Sequence, residues 1–290
     1  MDFAKLHGLG NDFLVANAGE AGSEQRSLVS LACSFCDRHC GVGADGVVFY
    51  QPTSGDREAD FSALIFNADG SRAEMSGNGI RCLAAFLTYS GQHHSSTLRI
   101  RTVSGIKQLT LEASDGLVYW FRCSMGIPII DPAKIPAAFG SAPGPVLDYP
   151  LQAGSKIVSV SLCSMGNPHC STFWPDLDQA PFQEFGPLLE AHPGFPKHTN
   201  VEFIQILDRH RIRVRFWERG VGPTRCSGTG SSAAVVASIL NGNAQSPVQV
   251  LTEMGHLEVE WESGKDLYLT GPAELICTGE YPPEERSAQQ

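Results

Sequence analysis

The sequence predicts an α+β protein of two structurally similar lobes related by a pseudo-twofold axis, with its active site in the cleft between them. Three observations lead there. The 290 residues exceed the commonest size of a single domain and suffice for two separate cores. An internal repeat recurs at an offset of about 150 residues. Each copy carries a Ser-Gly-x-Gly segment ahead of a helix-like run and flanked by strand-like segments, and a duplicated unit of that kind buries its faces as strands with few helices.

The elements of the repeat correspond in order. In the first copy the apolar run from Phe61 to Phe66 reads as a strand, passes Asn67-Ala68-Asp69-Gly70 and reaches Met75-Ser76-Gly77-Asn78-Gly79. In the second, Ile212 to Trp217 passes Glu218-Arg219-Gly220 and reaches Cys226-Ser227-Gly228-Thr229-Gly230. Runs rich in Ala with Leu or Val follow, Ile80 to Tyr89 and Ser231 to Leu240, and both read as helices. Leu98-Arg99-Ile100 and Val248-Gln249-Val250 then open hairpins through the turns Thr102-Val103-Ser104-Gly105 and Thr252-Glu253-Met254-Gly255. Earlier in each half, Gly10-Asn11-Asp12-Phe13 corresponds loosely to Gly166-Asn167-Pro168-His169. The expected division is an N-terminal lobe of residues 1–120, with 274–290 returning to it, and a C-terminal lobe of residues 121–273. Its boundary falls near Leu117 to Pro128, and the Pro- and Gly-rich stretch from Pro132 to Pro150 reads as a loop of the second lobe.

Composition excludes several classes of function. With 42% hydrophobic and 18% charged residues the chain is globular, and no apolar stretch approaches the 18 or so residues of a membrane span. Asp2, Lys5 and His7 near the start give neither the basic opening nor the apolar segment of a secretory signal, so the expectation is a soluble, cytoplasmic protein. Nine cysteines, an odd number, fit reduced thiols better than a disulfide framework. Cys33, Cys36, His39 and Cys40 are spaced as metal ligands can be, but no second pair follows at matching spacing, and a partly buried helix face is the reading preferred over a metal. A net charge of −10 would repel a phosphate backbone, so no nucleic-acid partner is expected. Without a phosphate loop in a βαβ unit, or a lysine set for a pyridoxal Schiff base, no cofactor is expected. The expected partner is a small amino-acid substrate; a homodimer is carried as the assembly, although composition does not read it.

The duplicated motif permits a specific chemistry. A helix start with little side-chain bulk lets backbone N–H groups approach an anion while the helix dipole favours it. Two such starts, one from each copy, could hold a substrate carboxylate and stabilise charge spreading into it when the neighbouring Cα proton leaves. Inversion of a stereocentre needs one group to take a proton and another, on the opposite face, to return one. Serine is also among the best N-caps, and capping alone is a sufficient reason for Ser76 and Ser227.

At these residues the sequence resembles the diaminopimelate epimerase family over nearly its whole length. The segments that carry the resemblance are Lys5-Leu6-His7-Gly8-Leu9-Gly10-Asn11-Asp12-Phe13, Gly41-Val42-Gly43-Ala44-Asp45-Gly46, Phe66-Asn67-Ala68-Asp69-Gly70-Ser71 and Gly77-Asn78-Gly79-Ile80-Arg81-Cys82. Met165-Gly166-Asn167-Pro168-His169, Asn200-Val201-Glu202-Phe203 and Glu218-Arg219-Gly220-Val221-Gly222 complete it. The resemblance implies two similar lobes and cofactor-independent epimerisation of an amino acid at Cα by a thiolate base and a thiol acid. It implies further that Asn11, Asn67, Asn167, Asn200 and Arg219 grip the distal carboxylate and its surroundings, that Glu218 faces the distal ammonium, and that the backbone around Gly77, Asn78, Gly228 and Thr229 holds the reacting carboxylate. Arg219 could instead be a surface cation; its place at the end of a strand entering the motif favours binding. His169 is read as a supporting histidine rather than a direct proton carrier.

One departure bears on mechanism: both positions where the family places its catalytic cysteines are serine, Ser76 and Ser227. A hydroxyl is a far poorer acid than a thiol and needs a neighbouring base. Cys226 precedes Ser227, but an adjacent residue at a helix start points elsewhere. The readings left open are epimerisation of L,L- and meso-diaminopimelate with activated serines, a related racemase, isomerase or dehydratase with altered acid/base chemistry, and a ligand-binding homologue that does not turn over. Cysteines replaced by design would also give this sequence, although Ser231-Ser232, where relatives more often carry Ala-Cys, fits natural drift.

Overall fold

A computed structural model describes residues 1–20, 25–53, 55–73, 76–139 and 144–282, with backbone only at 25–27. Met75 ahead of the first motif, positions 140–143 of the Pro- and Gly-rich stretch, and 283–290 of the returning segment lie outside the described residues. The chain divides into two compact units, Met1–Cys123 together with the segment from Gly271 on, and Ser124–Thr270.

The first unit opens with a tight hairpin of β1 (Asp2–Gly8) and β2 (Asn11–Asn17), in which Gly8 pairs with Asn11. Its two turn residues, Leu9 and Gly10, both have positive φ (52° and 84°), as the twist of a two-residue hairpin requires. β2 then pairs in parallel with β3 (Gly46–Pro52). Parallel neighbours cannot be joined by a tight turn, so the chain between them crosses over as α1 (Gln25–Cys36). β3 turns back into β4 (Phe61–Asn67), followed by the short β5 (Arg72–Ala73). β4 is in turn parallel to β6 (Thr97–Thr102), and the second crossover is α2 (Gly77–Tyr89). β7 (Gly105–Asp115) and β8 (Val118–Gly126) continue antiparallel.

The second unit repeats this order with matching pairings. After β9 (Tyr149–Ala153), β10 (Lys156–Ser164) and β11 (Pro168–Phe173) form the opening hairpin, with Gly166 at φ 97° in its turn as Gly10 is in the first. β11 is parallel to β12 (Asn200–Asp208) across α3 (Phe182–Glu190). β12 runs back into β13 (Arg211–Glu218) and the short β14 (Gly222–Thr224). β13 is parallel to β15 (Val248–Thr252) across α4 (Gly228–Leu240), and β16 (Gly255–Glu260) and the start of β17 (Leu267–Glu280) close the series. The last part of β17 pairs with β1 in the first unit. The duplication read from the sequence is therefore present strand by strand. It includes two crossovers per unit where the sequence motif marks one.

Both motif helices begin three residues ahead of the apolar runs that announced them, because the glycines belong to the first turn. Their ends are set by the chain reversing through Gly91 (φ 69°) after α2 and Gly242 (φ 72°) after α4. α2 buries Ile80, Leu83, Ala84 and Leu87 against β1, β2 and β3. α4 is buried almost all round, from Gly230 to Ser238, which explains its run of Ala, Ser and Val with no charge. The second unit also holds an aromatic core in which Phe182 meets Phe203 edge-on at 5.0 Å and Trp217 at 5.6 Å. Among its described residues the Pro- and Gly-rich stretch contains one 3₁₀ turn, Pro132–Lys134, capped by Asp131.

Close packing at the start of α4 gives a first expected outcome. A Cβ on Gly230 would lie 2.8 Å from Cδ1 of Phe216, a ring that is 1% exposed, whereas a Cβ on Gly228 meets nothing nearer than Leu269 Cδ1 at 3.9 Å. Gly230→Ala is expected to cost about 1–3 kcal/mol of stability through overpacking, and Gly228→Ala close to none. Thermal unfolding of the two variants measures the difference; equal midpoints would show that Phe216 yields freely.

Candidate active site

Each motif serine caps its helix. Ser76 lies at φ −139°, ψ 113°, and its Oγ accepts from the Gly79 N–H at 3.1 Å. Ser227 lies at φ −139°, ψ 127°, and accepts from the Gly230 N–H at 3.2 Å. The Ile80 and Ser231 N–H groups turn back to the carbonyls of the same serines, at 3.0 and 2.9 Å. Among the described residues the N–H groups of Gly77 and Asn78, and of Gly228 and Thr229, have no acceptor. The capping reading and the anion-binding reading are thus compatible: the hydroxyl satisfies the third N–H and leaves the first two for a ligand.

In the first unit the side chains around this helix start are locked. Asn78 donates through Nδ2 to Asn11 Oδ1 at 3.0 Å, and Asn11 donates to Asp45 Oδ2 at 2.8 Å. The other amide end of Asn78 accepts from Arg81, a guanidinium that is 1% exposed and also donates to the Pro272 carbonyl at 3.4 Å. Behind them Arg38 reaches Asp12 and Asp45, each at 2.8 Å, and Lys5 lies 3.1 Å from Asp12. Asn11 and Asn78 therefore spend both amide ends on the protein. Asn67, exposed at the end of β4, donates to Ser71 Oγ at 2.9 Å. Among the described residues of this unit, Ser76 has no base as a hydrogen-bond partner.

Burial alone would raise the Asp12 carboxyl, but hydrogen bonds from Arg38 and Lys5 and their charges outweigh it and hold it below its ordinary value of 3.8. A depressed carboxyl stabilises the fold above the unfolded-state pKa and loses that contribution as pH falls through its folded-state value. The stability gap between the unmodified chain and Asp12→Asn should accordingly be constant from neutral pH to near 5 and close below 3.8. Denaturant unfolding from pH 7 to 2 reads it; a gap that persists at the lowest pH would assign Asp12 to packing instead.

The second unit assembles the complementary set. Glu218, at the end of β13, accepts from Thr224 Oγ1 at 2.7 Å, and the Ser227 side chain is close enough to act on its carboxyl. Burial pushes its carboxyl above the ordinary range, against the lowering effects of the Thr224 hydrogen bond, of His169 and of the Ser227 side chain. Ser227 thus lies near a carboxylate of raised pKa. Arg219 is exposed, donates through Nη1 to the Lys197 carbonyl at 3.3 Å, and has no carboxylate partner among the described residues. Asn200 is buried; its Nδ2 donates to the Pro168 carbonyl at 2.9 Å and its Oδ1 accepts from the Arg219 backbone at 3.0 Å, so it fixes where the strand presents that arginine. Asn167, half-buried in the β10–β11 turn, accepts His169 Nε2 at 3.0 Å and has a free Nδ2 among the described residues.

The sequence did not single out Asp12, Asp45, Arg38, Arg81 or Glu202. All but Arg38 stand inside the segments that carry the resemblance, and the signal available was charged residues set among apolar ones, Arg81 within an apolar helix and Glu202 within an apolar strand. None of the nine cysteines is disulfide-bonded, Cys33 and Cys40 are exposed while Cys36 is buried, and among the described residues no group of three His, Cys, Asp or Glu is placed to hold a metal. Among the described residues no helix is long and apolar enough to cross a membrane.

Comparison with known proteins agrees with this architecture. A probable proline racemase from Agrobacterium radiobacter K84 superposes with a TM-score of 0.65 at 17% identity, covering 98% of this chain and 94% of that one, which establishes a shared fold. The diaminopimelate epimerase of Pelotomaculum thermopropionicum is 46% identical over 282 residues, 97% of this chain and 99% of its own. Diaminopimelate epimerase 1 of a Nostoc species is 43% identical over 284 residues, 96% and 99% of the two chains. The family model described as diaminopimelate epimerase matches residues 3–128 and 161–276, so that both capped helix starts and the whole Asn167–Arg219 set fall inside it. With the duplicated fold, the paired helix starts and this extent of identity, the chain belongs to the diaminopimelate epimerase family.

Proposed function

We propose that this protein interconverts L,L- and meso-diaminopimelate by Cα proton transfer without a cofactor, as a cytoplasmic isomerase of lysine and peptidoglycan precursor biosynthesis. The observation that carries the reading is the doubled helix start: one serine-capped helix in each unit with its first two N–H groups open. The open N–H groups at Gly77, Asn78, Gly228 and Thr229 bind the reacting carboxylate and stabilise the charge that develops when Cα is deprotonated. Arg219 and the free Asn167 amide bind the distal carboxylate, with Asn200 holding the Arg219 backbone in place. The family resemblance assigns Asn67 to the same carboxylate.

Proton balance follows from the two serines. On one face Ser227 takes the Cα proton while Glu218 accepts the proton Ser227 held, so the carboxylate ends as the acid and the carbon as the carbanion. On the other face Ser76 gives its proton and is reprotonated from solvent. The reverse reaction runs the same steps backwards. Because the step needs Glu218 ionised and its pKa is raised, exchange should increase with pH through a value above 4.5.

Incubation with L,L-diaminopimelate in D2O, followed by stereoisomer analysis, tests the reading. Deuterium at Cα with accumulation of the meso form is expected, together with a KM at least tenfold higher in Arg219→Ala. Specific binding without deuteration, in the unmodified chain and in a variant with cysteines at 76 and 227, would make it a ligand-binding homologue. That second reading has one observation in its favour, that among the described residues of its unit Ser76 has no base as a hydrogen-bond partner.

A further inference from the structure

The crossover helix of the second unit, α3, ends on Glu190, with no basic residue in its last turn. A carboxylate at a helix C-terminus meets the negative end of the dipole and is disfavoured there unless other contacts offset it. Here the side chain turns off the helix and joins two loops. Its Oε1 accepts from the Gly220 N–H at 3.3 Å, in the turn between β13 and β14. The same oxygen lies 2.9 Å from Nδ1 of His198, in the segment that leads into β12. A carboxylate oxygen only accepts, so the ring nitrogen donates in either charge state of the imidazole. The Glu190 carbonyl accepts in addition from the Thr199 N–H at 3.1 Å. His198 stands at φ 57°, a left-handed conformation that a residue with a side chain keeps only where its surroundings impose it. The Glu190 side chain is 15% exposed, so these bonds are sheltered from competing water.

The same two loops hold Arg219. Its guanidinium donates to the carbonyl of Lys197, the neighbour of His198, at 3.3 Å, and its backbone N–H donates to Asn200 Oδ1 at 3.0 Å. The peptide groups on either side of Arg219 are therefore tied separately, the one before it to Asn200 and the one after it to Glu190. One tie leaves the Arg219 backbone free to turn about its own torsions, whereas two fix the direction in which the side chain leaves the strand. The turn itself closes through the Val221 N–H on the Glu218 carbonyl at 3.1 Å, with Gly220 at φ 72°. Among the described residues Glu190 pairs with His198 and not with the guanidinium, so it places Arg219 without neutralising its charge.

We propose that Glu190 is a positioning residue that joins the His198 loop to the Gly220 turn and so aims Arg219 at the substrate. The proposal rests on the reading of Arg219 as a substrate-binding residue, and the two can fail separately. The first readout needs no ligand. Arg219-Gly220 is the only Arg-Gly pair in the chain, so 13C-carbonyl arginine with 15N-glycine selects the Gly220 amide in NMR of the full protein. Its hydrogen exchange should be at least about tenfold faster in Glu190→Ala, and slow again in Glu190→Gln, which keeps an acceptor oxygen. Unchanged exchange in Glu190→Ala would overturn the proposal alone. The second readout is calorimetric binding of L,L-diaminopimelate in a double-mutant cycle. Glu190→Ala should weaken binding about tenfold, the size of one charge-assisted hydrogen bond, and Glu190→Gln should recover most of the loss. In an Arg219→Ala background Glu190→Ala should add less than about twofold, because the residue it aims is already gone. Additive losses, or a Gln variant as weak as the Ala variant, would show that Glu190 acts through its charge or through the fold at large and overturn the proposal. Binding that is absent in the unmodified chain, or unaffected by Arg219→Ala, would refute the reading of Arg219 and with it the role given to Glu190, even where the exchange data establish the tie to Gly220.

Discussion

The Ser76→Cys/Ser227→Cys variant is expected to exchange the Cα proton of L,L-diaminopimelate at least about 10²-fold faster than the unmodified chain, the lower end of what a well-matched acid/base group contributes. The reason is local. Both side chains sit at the N-terminus of a 13-residue helix, where the dipole and two open N–H groups favour an anion. A thiol of pKa about 8.5 is carried into the useful range by that environment, whereas a hydroxyl starts far above it. The single variants should differ. Ser227 already has the Glu218 carboxylate nearby as a base, so Ser227→Cys alone should gain less than Ser76→Cys alone. Deuteration rates of the four proteins at one pH measure this; no gain in the double variant would mean that the serines are the groups this site is built to use.

The second large effect falls on Arg81. Arg81→Met is expected to cost about 3 kcal/mol and to lower the Tm by roughly 6–12 °C, since charge-assisted hydrogen bonds to Asn78 and to the Pro272 carbonyl are lost together at about 1.5 kcal/mol or more each. Methionine fills much of the volume, so the loss reports the guanidinium. It also releases Asn78, and through it Asn11, which holds Asp45. Exchange activity should fall further than stability alone explains under conditions where the variant is fully folded. Calorimetry and deuteration on the same preparation separate the two; full activity in the folded variant would show that the Asn78 amide needs no anchor.

These expectations draw unequally on sequence and structure. The duplication, the two serine-capped helix starts and the hairpins after them were legible in the sequence because each rests on local signals: a strong N-cap, small residues in a first turn, apolar runs of helical length, Gly in turns. α3 was not legible. It is nine residues long with a proline inside and a proline at its cap, and it exists because β11 and β12 are parallel and must be joined by a crossover. The site divides in the same way. Sequence alone determined which residue types stand at the helix starts and that Asn167, Asn200, Glu218 and Arg219 belong to one copy of the repeat.

Only the tertiary structure decided what those side chains spend their hydrogen bonds on. Asn11, Asn78 and Asn200 are committed to the protein, Asn167 keeps one end free among the described residues, and Glu218 is bonded to Thr224. The physical reason is that strand and helix periodicity is written within a few residues. The partner of a buried polar group is instead set by the register between strands distant in the chain, as Glu202 reaches His169 across 33 residues.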